Sequence, residues 1–305
     1  MKFVLKAGIK FRPFFCLFLF CGTKSLPKQK KISVYSQKLI GEFIFHYFCG
    51  HSEVYFSSKI FQSNMPAGEL TVIVPVYNEQ DSLFRFKQEM DKFVDQSSVP
   101  VKVMFVDDGS EDSSLRHIKA ICADSDKYGY IAFQQNMGLS AALKAGIDQA
   151  NGEWIGYIDA DLQTTPSDFL LFLPFIDEYD LVIGHRYQRK DPPVKKISSV
   201  IANSLRRAIL KDGVRDTGCP LKIMKASTAK QIPFFNGMHR FIPALVQITG
   251  GSVREIPVQH FQRMEGSSKY KLLNRLIHPF LDTLAVYWIK KRTIRYRMRE
   301  TTDKR

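Results

Sequence analysis

The sequence has few cysteines and histidines, and neither residue type forms a recognisable reactive or metal-binding pattern. Its five cysteines are an odd number without CxxC spacing, which argues against a zinc site and a disulfide framework and fits a reducing cytosol. The histidines are scattered, without a Ser-His-Asp or metal-His pattern, and His260 is more simply explained as local structure. Chemistry based on thiols or imidazoles is therefore not indicated.

Long apolar runs and glycine-rich dinucleotide motifs are missing as well. No uninterrupted apolar run approaches the ~18–20 residues that a membrane-spanning helix needs. No GxGxxG follows the first predicted strand, so a dinucleotide-dependent oxidoreductase is poorly supported. The chain also lacks internal repeats, and its 305 residues suit one medium-sized domain with appendages.

Positive charge is concentrated at the two ends of the chain. Of the net charge of +14, residues 1–66 contribute +8 (10 basic against 2 acidic) and residues 269–305 contribute +8 (11 against 3), which leaves −2 for the middle. A nucleic-acid enzyme would more often carry its basic patch on the folded domain, so nucleic acid is not expected as a partner. Basic ends favour contact with a membrane surface, where each basic group near anionic headgroups is worth ~1 kcal/mol.

Two carboxylates directly follow an apolar stretch in the segment EWIGYIDADLQ. The residues from Trp154 to Ile158 are typical of a buried strand, and Asp159, Asp161 and the amide of Gln163 come after it. Mg²⁺ and Mn²⁺ prefer such oxygen ligands and keep sites open for phosphate oxygens. Taken alone, the acids could equally belong to a solvated turn that caps the next helix.

Two further apolar strands, in the segments LTVIVPVYNE and VKVMFVDDGS, are followed directly by polar residues. Each could be ordinary turn or cap chemistry by itself. Three such ends on strands separated by helical patterns instead indicate an α/β fold whose parallel sheet has one functional edge. The side chains at these two ends are Pro75, Tyr77, Asn78 and Glu79, and Asp107 and Asp108.

Hydrophobic periodicity predicts the order of the elements. Strands are expected at 70–76, 101–106, 129–134, 153–159, 180–184, 217–224 and 253–261. Helices are expected at 80–96, 112–124, 138–150, 166–176, 194–210, 238–249 and from 271 onward.

These blocks, together with DTGCPLK and HFQRMEGSSKY, resemble the family-two glycosyltransferases with the GT-A fold. The resemblance covers about residues 70 to 300. It is closest to the polyprenyl-phosphate branch, which includes dolichyl-phosphate mannose synthases and undecaprenyl-phosphate sugar transferases. It implies a Rossmann-like, mostly parallel sheet flanked by helices. It also implies metal-dependent transfer of a sugar from a nucleotide-diphosphate sugar to a polyprenyl phosphate, with Mg²⁺ or Mn²⁺ as cofactor.

The resemblance also implies roles for individual residues. The donor would be held by Pro75, Tyr77, Asn78, Glu79, Asp107, Asp108 and Asp159. The cation would be held by Asp159, Asp161 and Gln163, and the residues closest to the reaction would be Asp161, Asp216 and Arg186. In the family an acid at the position of Asp216 is sometimes assigned as a base; here we expect it to orient groups more than to take a proton.

The chemical nature of the acceptor distinguishes the possible functions. A lipid phosphate is already anionic and needs cations to hold it. The candidates are Arg186, which closely follows a predicted strand, and Arg263 and Lys269, which the resemblance suggests. A related transferase acting on a hydroxyl of a non-lipid glycan would instead need a general base. A scaffold without turnover is the third possibility, and the intact acids at 159 and 161 argue against it.

We predict three regions: a basic, aromatic extension over 1–66, a catalytic domain over 67–268 and an amphipathic segment over 269–305. The extension resembles a signal peptide near Pro13–Cys21, but export would remove the enzyme from cytosolic nucleotide sugars, and Met65 would make a natural start. In the last segment, apolar residues at helical spacing precede a basic run, with Tyr287 and Trp288 as aromatic anchors. This pattern predicts an interfacial helix at the cytoplasmic face of a membrane, although packing on the catalytic domain is the alternative.

Overall fold

The computed structural model describes the backbone of residues 34–39, 42–49 and 52–57, and the chain over 68–187, 203–261 and 277–294. The chain divides into two compact units, residues 1–65 and 66–305. The three regions expected from the sequence, with bounds at 66 and 268, remain a prediction.

The first unit contains a three-stranded antiparallel sheet. Its strands are β1 (Val34–Leu39), β2 (Glu42–Cys49) and β3 (Ser52–Ser57), and β2 lies in the centre. Sequence analysis predicted no element here, because this stretch has no sustained hydrophobic period.

The second unit is built on a seven-stranded sheet in the order β10-β8-β9-β7-β4-β5-β6. Every neighbouring pair is parallel except those that involve β9, which runs antiparallel to both β7 and β8. The expected α/β fold with a mostly parallel sheet is therefore confirmed. The strands are β4 (Leu70–Val76), β5 (Val101–Asp107), β6 (Tyr128–Ala132), β7 (Trp154–Tyr157), β8 (Leu181–Arg186), β9 (Lys222–Lys225) and β10 (Val253–Val258).

Helices connect these strands and flank the sheet. They are α1 (Leu83–Gln96), α2 (Ser114–Asp124), α3 (Leu139–Gln149), α4 (described over 203–210), α5 (Ala226–Ala229), α6 (Ile242–Ile248) and α7 (Ile277–Arg292). Short 3-10 turns lie at Pro166–Leu171, Leu173–Phe175 and Met238–Arg240.

Three predicted elements differ from those found. The helix expected near 166–176 is two 3-10 turns, each with a proline at its start, because proline begins a helical turn but disrupts the turn before it. The helix expected at 238–249 is likewise divided, and α6 begins beside Pro243. The strand expected near 217–224 begins only at Lys222, since residues before it form a turn.

Both faces of the sheet are buried, as the near-continuous apolar strands require. On β4, Val72 and Val74 pack into the cluster that contains Phe86, while Ile73 packs into the opposite cluster with Ile147. Full burial of a side chain of this size contributes roughly 1.5–3 kcal/mol. The two clusters hold the strands in register, and so fix where their carboxyl ends lie.

Among the helices of the described residues, none has the length and apolar character that crossing a bilayer requires.

Candidate active site

The predicted polar strand ends lie at one edge of the sheet. Strand pairing aligns Val76 with Asp107 and Ile73 with Tyr157, so the carboxyl ends of β4, β5 and β7 are adjacent. Because β9 is antiparallel, its first residue, Lys222, lies at the same edge between β7 and β8. Open α/β sheets bind ligands at this edge.

Asp107 presents an unsatisfied carboxylate oxygen at the end of β5. The side chain is buried, and its Oδ2 accepts a hydrogen bond of 3.3 Å from the Ser110 amide. Oδ1 is also buried and has no hydrogen-bond partner among the described residues. Leaving a buried acceptor unsatisfied costs roughly 1–3 kcal/mol, and a hydroxyl or N–H group of a ligand would remove that cost. Asp107 is therefore a candidate contact for a polar ligand.

Asp108, which the sequence also suggested for donor binding, is engaged with a neighbouring loop. Its carboxylate accepts hydrogen bonds from the amides of Met137 at 2.7 Å and Gly138 at 2.9 Å, and from Nδ2 of Asn136 at 3.0 Å. Gly138 has a φ of 89°, a conformation that favours glycine. Burial raises the pKa of Asp108 above its usual value. Its geometry favours a role in holding the loop rather than direct contact with a ligand.

The end of β4 is tied to the turn after β5. Asn78 has a φ of 53°; its amide donates to Oγ of Ser110 at 3.0 Å, and its Oδ1 accepts from the amide of Glu111 at 2.8 Å. The amide of Glu79 donates to Oγ of Ser114 at 2.9 Å. These bonds fix the backbone on which Pro75 and Tyr77, both half-buried, are carried.

Asp159 and Asp161 follow β7, and each has one oxygen in a hydrogen bond. The Tyr157 hydroxyl donates to Oδ1 of Asp159 at 2.8 Å, and the Gln163 amide donates to Oδ1 of Asp161 at 3.1 Å. Burial, followed by the charge of Asp161, raises the pKa of Asp159 to about 6. The described residues contain no group of three or more His, Cys, Asp or Glu side chains suited to a metal. Two crowded carboxylates nevertheless fit a divalent cation that takes its other ligands from phosphate oxygens.

Arg186, at the end of β8, forms a bidentate ion pair with Asp216. Its Nε lies 2.7 Å from Oδ2 and its Nη2 lies 2.9 Å from Oδ1. The Glu255 carboxylate on β10 accepts hydrogen bonds from the amides of Arg215 and Asp216, which fixes the segment that carries Asp216. Two of the three residues that the sequence singled out for the reaction, Arg186 and Asp216, are thus in direct contact.

Sequence analysis missed Lys222 as a residue of this edge. It is buried, its Nζ donates a hydrogen bond to the carbonyl of Cys219, and it lies 5.1 Å from the ring centroid of Tyr157. Burial lowers the pKa of Lys222 to about 8, and nearby groups including Asp159 and Asp216 oppose that shift. The only signal in the sequence is one charged residue inside an apolar stretch, PLKIM.

The start of α3, in the block GLSAALKA, is tied to the turn that contains His239. Oγ of Ser140 on α3 accepts a hydrogen bond from the Gly237 amide and lies 3.1 Å from Nδ1 of His239. Burial, with the charge of Arg240 as a smaller cause, lowers the pKa of His239 to about 3, so its imidazole is neutral near pH 7. These contacts hold the 237–239 turn against the start of α3.

A cavity of about 210 Å³ lies at the amino ends of β4, β5 and β6. Thr71, Lys102, Tyr128 and Ala150 are among its lining residues. Asp107, Asp159 and Asp161 lie at the opposite edge of the sheet. No predicted site residue lines this cavity, so the carboxyl edge remains the candidate site. Arg263 and Lys269, predicted for acceptor binding, lie outside the described residues. The segment before them does reach the site, since the amide of Phe261 donates to the carbonyl of Gln163 at 2.9 Å.

The sheet, with acids at the carboxyl edge and one reversed strand, is the GT-A fold of glycosyltransferases. It is similar to mannosyl-3-phosphoglycerate synthase from Rubrobacter xylanophilus, with a TM-score of 0.55 and 13% identity over 78% of this chain and 79% of that one. It is also similar to a mannosyltransferase from Pyrobaculum calidifontis in complex with GDP-Man and Mn²⁺, with a TM-score of 0.53 and 17% identity. That match covers 72% of this chain and 64% of the other, a little under two thirds of its length.

The chain belongs to glycosyl transferase family 2, whose sequence profile matches residues 71–233. It is 35% identical over 229 residues to a dodecaprenyl-phosphate galacturonate synthase of Rhizobium johnstonii, covering 73% of this chain and 68% of the relative. It is 32% identical over 219 residues to an undecaprenyl-phosphate 4-deoxy-4-formamido-L-arabinose transferase of Salmonella choleraesuis, covering 71% and 67%. The predicted family and the predicted class of enzyme, a glycosyltransferase, are confirmed.

Proposed function

We propose that the protein transfers a sugar from a nucleotide-diphosphate sugar to a polyprenyl phosphate, in a reaction that depends on Mg²⁺ or Mn²⁺. The observation that carries this proposal is the meeting, at one sheet edge, of the unsatisfied Asp107 oxygen, the Asp159–Asp161 pair and the Arg186–Asp216 ion pair. The two relatives act on dodecaprenyl and undecaprenyl phosphates by name, which supports the same acceptor class here.

The donor half of the site is the β4–β5–β7 edge. Asp107 would bind a hydroxyl or N–H group of the nucleoside, on the backbone held by Asn78, and Tyr77 would lie beside it. Asp159 and Asp161, with the side-chain amide oxygen of Gln163, would hold the cation. When bound, the cation stabilises the charge that the diphosphate leaving group accumulates as the bond to the sugar breaks.

The acceptor half supports a phosphate rather than a hydroxyl group. A hydroxyl acceptor needs a group that removes its proton, and Asp216 is the acid nearest to Arg186. Both oxygens of Asp216 bind the Arg186 guanidinium, so accepting a proton would break a bidentate ion pair. A lipid phosphate is already anionic, and needs a cation held in place, which Asp216 supplies by orienting Arg186. We assign Arg263 and Lys269 to the same phosphate, as the sequence suggests.

The last described helix supports attachment to a membrane surface. One side of α7 packs in the core: Thr283 and Val286 are buried, and Val286 belongs to the same cluster as Leu245 of α6. The other side of α7 is apolar and exposed, with Trp288 63% exposed. That exposed stripe consists of Phe280, Leu281, Leu284, Tyr287 and Trp288, and is followed by Lys290, Lys291 and Arg292.

An apolar stripe next to basic residues is the arrangement of helices that lie in a bilayer interface. We therefore place the enzyme peripherally at the cytoplasmic face of a membrane, where nucleotide sugars and lipid phosphates meet. In this proposal 67–268 is the catalytic domain and 269–305 the membrane segment.

The test is transfer of radiolabel from a panel of UDP- and GDP-sugars to undecaprenyl phosphate in detergent or vesicles, with Mn²⁺ or with EDTA. We expect at least one donor to label the lipid, and EDTA to abolish labelling until Mn²⁺ or Mg²⁺ is restored. Lipid labelling that persists in EDTA would contradict the role of the cation.

The second candidate function is transfer to a hydroxyl of a non-lipid glycan. Label that appears only in a water-soluble glycan would establish it and refute the lipid acceptor. Absence of transfer from every donor, with a folded protein, would count against both.

A further inference from the structure

Lys222 is a buried cation to which the proposed reaction assigns no direct task. It is the first residue of β9, its Cα aligns with those of Tyr157 on β7 and Ile183 on β8, and its side chain is 1% exposed. Burying an ammonium group is unfavourable unless its charge and its N–H groups find partners. The partners of Lys222 therefore indicate why a lysine occupies this position.

One contact of Lys222 leads to the predicted cation site. Its Nζ lies 5.1 Å from the ring centroid of Tyr157, within the range of a cation–π interaction. The hydroxyl group of the same tyrosine donates to Oδ1 of Asp159 at 2.8 Å. The buried tyrosine thus contacts the ammonium group through its ring and the Asp159 carboxylate through its hydroxyl group.

A second contact leads to the acceptor half of the site. Nζ of Lys222 donates to the carbonyl of Cys219. The amide of Cys219 in turn donates to the carbonyl of Asp216 at 3.4 Å, which closes the turn that presents Asp216 to Arg186. One ammonium group thus contacts the supports of both halves of the site.

We propose that Lys222 is a positioning residue: it aligns Asp159 for the divalent cation by way of Tyr157, and secures the turn that carries Asp216. This inference rests on the proposed function, which supplies the cation and its nucleoside-diphosphate partner. Lys222 is too deeply buried to touch a substrate, so it acts through these neighbours. Groups that orient a metal ligand typically change metal affinity by about 10- to 100-fold when removed.

The experiment measures the Kd of Mn²⁺ for the full chain, from the EPR signal of free Mn²⁺, with UDP and separately with GDP present. The variants are Lys222→Met, which keeps the length but not the charge, Lys222→Arg, which keeps the charge, and Tyr157→Phe, which removes only the hydroxyl. Lys225→Met is the matched control, because Lys225 lies at the opposite end of the same strand, where its Nζ is 3.5 Å from Oδ1 of Asp180. Thermal unfolding of each variant checks that the fold is retained.

We expect Lys222→Met and Tyr157→Phe each to raise the Kd of Mn²⁺ about 10-fold or more. Because both act on Asp159, the double variant should lose less than the product of the two single effects. Lys222→Arg should recover most of the affinity, and Lys225→Met should leave it unchanged.

A Lys222→Met protein that is folded and binds Mn²⁺ as tightly as the wild type overturns this inference and leaves the proposed function standing. A wild-type protein that binds no Mn²⁺ with either nucleotide overturns the proposed cation and this inference together. If Lys222→Met does not fold, Tyr157→Phe decides: an unchanged Kd refutes the link to Asp159, and a raised Kd supports it.

Discussion

Asp216 accepts two hydrogen bonds from the guanidinium of Arg186, at 2.7 Å from Nε and 2.9 Å from Nη2. The pair is largely buried, with side-chain exposures of 12% for Arg186 and 6% for Asp216. A planar, two-point contact of this kind fixes the direction of the guanidinium as well as its position. The pair therefore orients a cation at the edge where the acceptor is proposed to bind.

Asp216→Asn should weaken acceptor binding more than turnover. The amide keeps the shape of the side chain but loses its charge and one acceptor oxygen, so Arg186 loses its fixed orientation. We expect the KM for undecaprenyl phosphate to rise about 10- to 100-fold, the range for one charge-assisted hydrogen bond, while the KM for the donor stays the same. Steady-state kinetics measure both. Near-complete loss of kcat with both KM values unchanged would instead identify Asp216 as a base.

Asp159→Asn and Asp161→Asn should each remove most of the metal-dependent activity. An amide is a weaker ligand than a carboxylate for a hard cation, and each change removes one of the two charges that would hold it. We expect kcat to fall by about 100-fold or more and the Mn²⁺ concentration for half-maximal rate to rise. Asp148→Asn is the control, since Asp148 is on α3 in an exposed pair with Lys144. Equal losses in the control would point to a general effect on the fold.

Asp108→Asn should loosen the loop beside the donor site. The carboxylate accepts from two amides and the Asn136 side chain, whereas the amide nitrogen of the substituted side chain would face some of these donors. We expect the free energy of unfolding to fall by about 1–3 kcal/mol, the cost of unsatisfied buried groups, and the donor KM to rise. Chemical denaturation and kinetics test this against the exposed Asp126→Asn. Unchanged stability would show that the loop does not depend on Asp108.

Two aspartates should respond to pH in opposite senses. Burial raises the pKa of Asp168 to about 6, against a lowering hydrogen bond from Gln259. A raised folded-state pKa contributes stability that is present below about pH 4 and is lost as pH rises through about 6. Burial also tends to raise the pKa of Asp180, but hydrogen bonds from Ser252 and the charge of Lys225 outweigh it and lower the pKa. Asp180 therefore stabilises the fold above its unfolded pKa, and this contribution is lost as pH falls.

Relative to the wild type, Asp168→Asn should thus become more stable as pH rises from about 4 to 7. Asp180→Asn should become less stable relative to the wild type as pH rises towards about 4, the unfolded pKa, and the difference should then stay constant up to about pH 7. Urea unfolding at several pH values measures both differences. Curves that stay parallel to the wild type at every pH would contradict the assignment.

The exposed stripe of α7 should determine membrane binding. Replacing Leu281 and Trp288 together by serine removes two large apolar groups that are exposed in the protein. Because full burial of each is worth about 1.5–3 kcal/mol, we expect binding to phosphatidylglycerol vesicles to fall at least about 10-fold in a sedimentation assay. Phe84→Ser, at a 50% exposed position on α1, should bind as the wild type does. An unaffected double variant would exclude this face as the membrane contact.

Much of the fold could be predicted because its strands are apolar runs that end abruptly in polar residues. Consecutive residues of β4, Val72 to Val74, and of β5, Phe105 and Val106, are buried, so both faces of these strands are covered, and strands of this kind belong in the middle of parallel sheets. Parallel strands bring their carboxyl ends together, so Asp107 and Asp159 could be assigned to one edge without coordinates.

Other features could not be predicted because they join residues that are distant along the chain. The reversal of β9, which brings Lys222 to the acidic edge, leaves no trace in a period-two pattern that reads the same in both directions. Asp108 looks like any residue of an Asp-Gly turn, and only its contact with the 136–138 loop shows that its oxygens are engaged.

The sequence by itself determined the fold class, the family and which strands end in acidic residues, since apolar patterning and local motifs depend on near neighbours. Only the tertiary structure decided which charges pair: Arg186 with Asp216, and the Lys222 ammonium group with the tyrosine that supports Asp159. The reason is that pairing depends on distances between side chains brought together by strand order and direction, which a linear pattern does not encode.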